Sequence, residues 1–320
     1  MLNRTVPNTD LSLSVVGFGC WAIGKQYWGD DVDDDVSTQA IHAALDEGIN
    51  WFDTAPLYGA GHADNILTKA INGHRNNVVI ATKVGVRLGE AGQHAESDLS
   101  PEWIIADTEA SLHRLKLDCI DLLQVHWPCD HGSDFDATIE TLEGLRDSGK
   151  IRYYGLCNYE AAEVQSASSS PGMVSLQTPY SLLRREFESA LRGACSGDNP
   201  LGVLAYEPLC RGLLSGKFQS QPNFPDTDLR SWDERFQGSR FAHAQKLVHS
   251  LEQVGHKLKL PTAAISIGWA IAQPGITAAI VGAKNPKQVR QNARAAELLE
   301  HPKAIRIIDQ IAAIHGGWPK

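Results

Sequence analysis

Asp53 and Tyr58 in NWFDTAPLYG (50–59), Lys83 in VVIATKVG (78–85) and His126 in IDLLQVHWP (120–128) stand where short apolar runs end. These residue types fit one chemistry. A phenol with an ordinary pKa of about 10 is a poor acid near neutrality, and an adjacent ammonium lowers that value by favouring the phenolate. Lys83 supplies such a charge, Asp53 pairs with the lysine and orients it, and His126 can donate a hydrogen bond to an oxygen on which negative charge develops. The set is suited to protonating a carbonyl oxygen. It contains no nucleophile for the carbon, so a hydride donor must be brought in as a cofactor. Each residue also has an ordinary reading: Asp53 with Lys83 as a salt bridge on a rim, Tyr58 as a packed aromatic with a wet hydroxyl, His126 as a satisfied core histidine. Their joint occurrence on successive runs favours the chemical one.

Something must hold these groups on one face. Apolar runs recur at 15–18, 49–52, 78–82, 120–125, 152–156, 174–176, 202–205 and 277–281, alternating with stretches of helical period. Val36, Ala40, Ile41, Ala44 and Leu45 share one helical stripe, and Ile104, Ile105, Thr108, Leu112 and Leu115 share another. Runs without strict alternation, separated by amphipathic helices, read as a parallel sheet covered on its outer face. Eight such runs predict an α/β fold, a single (β/α)8 TIM barrel domain over 1–320. Chemistry in that fold gathers at the C-terminal ends of the strands. The later runs end in Asp53, Lys83, His126, Asn158, Gln177, Tyr206 with Glu207, and Gly282. The polar stretch ASSSPG (167–172) is short enough to be an ordinary loop and marks no domain boundary. The long irregular segment 214–241 predicts a long βα loop that is either a functional lid or a mobile insertion. Helical patterns follow at about 241–258, 262–272 and 302–315, the outer two expected as extra helices beyond the barrel repeat.

Composition bounds the partners. With 29 basic against 38 acidic residues the formal charge is −9, which argues against nucleic-acid and anionic-membrane surfaces. No signal peptide or membrane span is legible, so the expected location is cytoplasmic. Six cysteines without CxxC spacing and twelve dispersed histidines indicate neither a disulfide framework nor a metal site. GFGCWA (17–22) satisfies a loose dinucleotide fingerprint, but IGKQYWGDD after it opens no helix. The acidic residue also stands far beyond the roughly 20-residue spacing of a Rossmann unit, so that fold is rejected.

Taken together, GFGCWAIG (17–24), GINWFDTAPLYGAGHAD (48–64), VVIATKVG, IDLLQVHWP, GKIRYYGLCNY (149–159), LAYEPLCRGLLSGK (204–217) and IVGAKNPKQVRQN (280–292) resemble the aldo-keto reductases over nearly the whole chain. These are NAD(P)-dependent oxidoreductases built on the (β/α)8 barrel. The resemblance implies catalytic roles for Asp53, Tyr58, Lys83 and His126, with Tyr58 the general acid and, towards oxidation, its phenolate the base. It places Gly19, Cys20, Trp21 and Asp53 near the nicotinamide, Asn158 and Gln177 on the carboxamide, and Tyr206 stacked on the ring. Glu207, Pro208, Leu209, Arg211, Gly212, Leu214 and Lys217 fall along the pyrophosphate segment, and Gly282, Lys284, Gln288, Gln291 and Asn292 around the adenosine. A Gly-rich turn opening a helix offers free backbone N–H groups to an anion, and Lys284 adds a charge.

Three positions depart from the pattern. Glu207 stands where this branch usually has serine, close to the pyrophosphate path. Cys157 replaces the serine before Asn158. Gln288 replaces an arginine that meets the 2′-phosphate in some branches, so the expected preference for NADPH or NADP over NADH or NAD leans on Lys284 with Arg290 or Lys217. Trp21, Tyr27, Trp28, Tyr58, His126 and Trp127, with the stretch around Trp232 and Phe236, are expected to wall a pocket for an aldehyde, ketone or aldose, although each tryptophan could be ordinary packing. The expected function is reduction of such a carbonyl to the alcohol. One alternative is an NAD(P)-dependent sugar or alcohol dehydrogenase working oxidatively. Another is a cofactor-sensing regulatory protein like the potassium-channel β subunits, disfavoured by the near absence of an extension before the barrel. No apolar patch is assignable to an interface, so the oligomeric state is unassigned.

Overall fold

A computed structural model describes residues 1–29, 32–89, 95–129 and 134–318. Eight strands, β1 (Val16–Gly19), β2 (Trp51–Asp53), β3 (Val79–Val84), β4 (Ile120–Val125), β5 (Ile151–Cys157), β6 (Met173–Pro179), β7 (Gly202–Tyr206) and β8 (Ile276–Gly282), pair in parallel in chain order. β8 returns to β1, from Ala279 opposite Val16 to Gly282 opposite Gly19, and the barrel closes. Every apolar run of the sequence falls within or across one of these strands. They lack alternation because both faces are covered: β4 is buried at all of its positions.

The inward faces contribute Trp51, Ala81, Leu122, Leu204, Ala278 and Ile280. Val6, Leu11 and Leu13, from an antiparallel hairpin pairing Asn3–Thr5 with Ser12–Ser14, join that cluster and plug the N-terminal end of the barrel. The Trp51 indole donates to the Ser14 carbonyl at 2.8 Å. Its ring occupies space that only a glycine leaves, since a Cβ on Gly17 would lie 2.1 Å from it. Gly17→Ala is expected to destabilise the fold by at least about 1–3 kcal/mol, seen as a lower urea midpoint at unchanged slope. An unchanged midpoint would mean that Trp51 can move aside.

Helices α1 (Asp34–Asp46), α2 (His62–Ala70), α3 (Pro101–Leu115), α4 (Phe135–Asp147), α5 (Ala161–Ala167) and α6 (Glu186–Ala190) follow β1 to β6 in turn. Asp33 caps α1 by accepting from the Val36 N–H, and Ala40, Ile41 and Ala44 are buried as the stripe requires. The α3 stripe is corrected at Ile105, which is 40% exposed, because Asp107, Thr108 and Ser111 take inner positions beside Ile104 and Leu115. After β7 come α7 (Gly238–Leu258) and α8 (Thr262–Ala272), and after β8 come α9 (Pro286–Ala293) and α10 (Pro302–His315). The apolar α8 packs on β8, whereas α7 and α10 pack on each other, as expected of the two extra helices.

Segment 214–241 is built of short turns and the start of α7. Phe218, Phe224 and Phe236 meet edge to face. Two contacts tie the segment to the loop after β1: an antiparallel bridge between Trp28 and Asp228, and the Leu229 N–H donated to the Tyr27 carbonyl at 2.9 Å. Among the described residues no helix is long and apolar enough to cross a membrane, and no cluster of three or more His, Cys, Asp or Glu could hold a metal ion. The six cysteines are free thiols, with Cys20, Cys157, Cys195 and Cys210 buried.

Candidate active site

A groove of about 1070 Å³ opens along the C-terminal ends of the strands, from His126 and Trp127 at one end to Gln291 and Asn292 of α9 at the other. Its floor near β2 to β4 is a buried ion pair with a phenol on top. Lys83 Nζ donates to Asp53 Oδ1 at 2.6 Å, to the Thr54 carbonyl at 3.0 Å and to the Tyr58 hydroxyl at 3.0 Å. All three ammonium protons are thereby used. Thr54 is itself fixed, its hydroxyl donating to Asp64, which Arg114 also binds. Lys83 lies behind the groove wall, while Asp53, Tyr58 and His126 line it.

The acidity of Tyr58 differs from the expectation drawn from spacing. Burial raises its pKa above the ordinary tyrosine value, and the attraction of Lys83 offsets only part of that, with Asp53 pushing upward as well. The phenol is therefore held protonated. Burial also works against the Lys83 ammonium, but Asp53 and Tyr58 outweigh it and hold the lysine charged. His126 is pushed well below the usual histidine range by burial and then by Lys83, so its ring is neutral. It stacks on Trp127 at 4.3 Å and meets Tyr58 edge-on at 6.1 Å. A neutral imidazole with one N–H and a protonated phenol facing one space can together bind and protonate a carbonyl oxygen.

The ends of β5 to β7 carry the next layer. Asn158 sits at φ 66°, a left-handed conformation that Asn tolerates better than most residues, and Glu207, Cys210 and Arg211, for which it is uncommon, share it at φ 52°, 46° and 57°. That geometry turns Asn158 so that it accepts from the Tyr206 hydroxyl at 2.7 Å and donates to the His126 carbonyl at 3.2 Å. Gln177 donates to Asp53 Oδ2 at 2.8 Å and accepts from the Cys157 thiol at 3.2 Å. Gln177 keeps one further N–H for a ligand, whereas the second Asn158 N–H is directed at Cys157 Sγ in a long, weak bond of 3.5 Å.

Glu207 is neutralised rather than left facing the groove alone. It accepts from Arg211 at 2.8 Å and Arg235 at 2.9 Å, with Arg184 at 3.7 Å, and Asp233 joins Arg211 at 3.0 Å. Burial favours its neutral form, yet Arg235 and Arg211 hold the carboxyl below the ordinary range. The Arg211 guanidinium lies 5.6 Å above the Trp21 ring, which stacks 6.2 Å from Tyr58 and meets Trp28 edge-on at 5.2 Å.

Gly19, Pro208, Leu209, Gly212, Lys217, Gly282, Lys284 and Gln288 line the groove, as do Trp21, Tyr27 and Trp28. Cys20 and Leu214 do not: both side chains are fully buried behind it. Arg290 is also absent from the wall. The Lys284 ammonium donates to the Trp28 carbonyl at 2.6 Å, and Gln288 accepts from the Lys284 N–H at 2.8 Å. The stretch expected to wall the substrate pocket is corrected in two places, Phe236 being buried in the phenylalanine cluster and Trp232 standing 63% exposed outside the groove. Arg184, Arg230 and Lys287 line the groove without having been read from the sequence. Only Lys287 had a local signal, its place beside the Pro286 that opens α9.

Residues 15–313 match the Aldo/keto reductase family. The chain is 36% identical over 291 residues to the Bacillus subtilis protein named aldo-keto reductase YhdN, covering 89% of this chain and 86% of that one. It is 31% identical over 304 residues to the Escherichia coli NADH-specific methylglyoxal reductase, covering 90% and 91%. Among solved structures it resembles the glycerol dehydrogenase AKR11B4 of Gluconobacter oxydans, with 34% identity, a TM-score of 0.89 and coverage of 99% and 97%. The closed parallel barrel and these likenesses lead to one conclusion: the chain belongs to the aldo/keto reductase family of oxidoreductases.

Proposed function

We propose that the protein interconverts a small carbonyl compound and its alcohol with a nicotinamide dinucleotide, reduction being the working direction. The observation that carries this reading is the buried Asp53–Lys83 pair beneath the partly buried Tyr58 phenol, with neutral His126 beside it at the floor of the groove. Tyr58 is the general acid, and in oxidation its phenolate is the base. Asp53 and Lys83 orient the phenol, and His126 donates to the oxygen on which charge builds. The residues fit a long dinucleotide: Asn158 and Gln177 line the nicotinamide end, where Gln177 keeps one amide proton, while Lys217, Lys284 and Lys287 line the phosphate and adenosine end. When bound, the dinucleotide supplies or accepts the hydride. Tyr206 offers a ring face to its nicotinamide, and Trp21, Trp28 and Trp127 exclude water and pack on the CH faces of the substrate.

The experiment is steady-state turnover of NADPH and NADH with methylglyoxal, glyceraldehyde and aldoses, and of NADP and NAD with glycerol. These substrates follow the two relatives named above. The three lysines predict a lower KM for NADPH than for NADH by about tenfold, the equivalent of one good charge contact. The glycerol dehydrogenase likeness favours a second reading, the oxidative direction, which faster turnover of glycerol than of any carbonyl would select. Cofactor binding without turnover of any compound would point to a sensing role instead.

The pH dependence follows from the directions above. Because burial holds Tyr58 protonated, reductive kcat is expected to show no alkaline loss below about pH 10, and oxidative kcat to rise about tenfold per pH unit as the phenolate fraction grows. Because His126 is held neutral, neither direction should fall on its account between pH 8 and the ordinary histidine range at about 6.5. A reductive rate that breaks near pH 7–8 would show that Lys83 dominates burial.

A further inference from the structure

Gln177 has a second task that its expected place at the carboxamide does not describe. The buried Asp53 carboxylate has two oxygens. Oδ1 accepts from Lys83, and Oδ2 accepts from Gln177 Nε2 at 2.8 Å across 124 residues of chain. The orientation of this amide is fixed from both sides. An ionised carboxylate only accepts, so the NH2 must face Asp53, and on the other side the Cys157 thiol donates to Gln177 Oε1 at 3.2 Å. Burial pushes the Cys157 thiol up to about 12, which keeps that proton in place. A continuous series of hydrogen bonds therefore runs from β5 through β6 and β2 to β3: Cys157 to Gln177, Gln177 to Asp53, Lys83 to Asp53, and Lys83 to the Tyr58 hydroxyl.

Resting on the function proposed above, we propose that Gln177 is a positioning residue for proton transfer, holding the Asp53 carboxylate so that Lys83 stays aligned under Tyr58, and that Cys157 sets the orientation of Gln177. Without the amide, Oδ2 is a buried charged oxygen lacking a donor. Asp53 then gains by rotating towards any other donor, and Lys83 Nζ is drawn from the Tyr58 oxygen with it. A thiol is a weak donor, but it suffices to select one of the two amide orientations.

The test uses Gln177→Met, which keeps length and removes both polar ends, with Cys157→Ala and Cys157→Ser. Cofactor dissociation constants come from fluorescence titration, kcat from steady state, and the solvent deuterium isotope effect from kcat in heavy water. Gln177→Met is expected to weaken cofactor binding through its lost carboxamide contact and, at saturating cofactor, still to lose about tenfold or more in kcat with a larger solvent isotope effect. Cys157→Ala should lose part of that rate, and Cys157→Ser should recover most of what Cys157→Ala loses. A Gln177→Met enzyme whose whole loss lies in cofactor affinity, at the wild-type solvent isotope effect, overturns the inference and leaves Gln177 a cofactor clamp. Equal rates for Cys157→Ala and wild type overturn the part assigned to the thiol. If wild type itself turns over none of the compounds, the functional reading has failed instead, before any variant is compared.

Discussion

Tyr58→Phe is expected to lower kcat by about 10²- to 10⁴-fold in both directions, with cofactor dissociation constants nearly unchanged. The substitution removes a single oxygen. The ring keeps its stacking on Trp21 and its edge contact with His126, so the pocket and its water exclusion persist while the transferable proton is gone. Reduction should suffer even with activated carbonyls, because the neutral His126 can donate a hydrogen bond but is a poor proton source. The measurement is single-turnover oxidation of bound NADPH, which separates the chemical step from release. Loss of rate matched by loss of cofactor affinity would mean that the variant had disturbed packing. A rate within a few-fold of wild type would assign the acid to another group.

Lys83→Met is expected to damage both rate and fold. Asp53 is 3% exposed and Lys83 is 1% exposed, so removing the ammonium strands a carboxylate in the barrel. Breaking one side of a buried pair costs about 3–5 kcal/mol, which should appear as a lower urea midpoint, unlike Tyr58→Phe. Lys83 is also the donor that holds the Tyr58 oxygen, at 3.0 Å. The double variant Lys83→Met with Tyr58→Phe should therefore be scarcely slower than the slower single variant, since the two residues act as a unit. Multiplied effects would show that Lys83 contributes through a route other than the phenol. Lys83→Arg is no rescue: a planar guanidinium cannot direct three donors at Asp53, Thr54 and Tyr58 in the same buried space.

The barrel was legible because strands covered on both faces leave unbroken apolar runs, and a polar group at the end of such a run is conspicuous. The N-terminal hairpin was not legible. Its two three-residue strands are polar outside, and only Val6, Leu11 and Leu13 reach the core. The types and order of Asp53, Tyr58, Lys83 and His126 could be read, but the net acidity of Tyr58 could not, because spacing reveals the neighbouring charge and not the depth of burial that outweighs it. The neutralisation of Glu207 was hidden for a related reason. Arg235 reaches it from 28 residues away, and Arg184 comes from another loop. Contacts of this kind depend on how loops fold over the strand ends, and local residue patterns carry no record of that.

Three of the four buried thiols give the molecule an internal reporter. Alkylating reagents attack the thiolate, and burial pushes Cys195 to about 12, Cys210 to about 11 and Cys20 well upward, besides Cys157. In the native state these sulfurs are protonated, and those of Cys20, Cys195 and Cys210 are shielded away from the groove that Cys157 borders, so reagents meet those three only when the surrounding structure opens. Cys20 follows β1, Cys195 follows α6 and Cys210 follows β7, so the order in which they become labelled would trace which side of the barrel parts first.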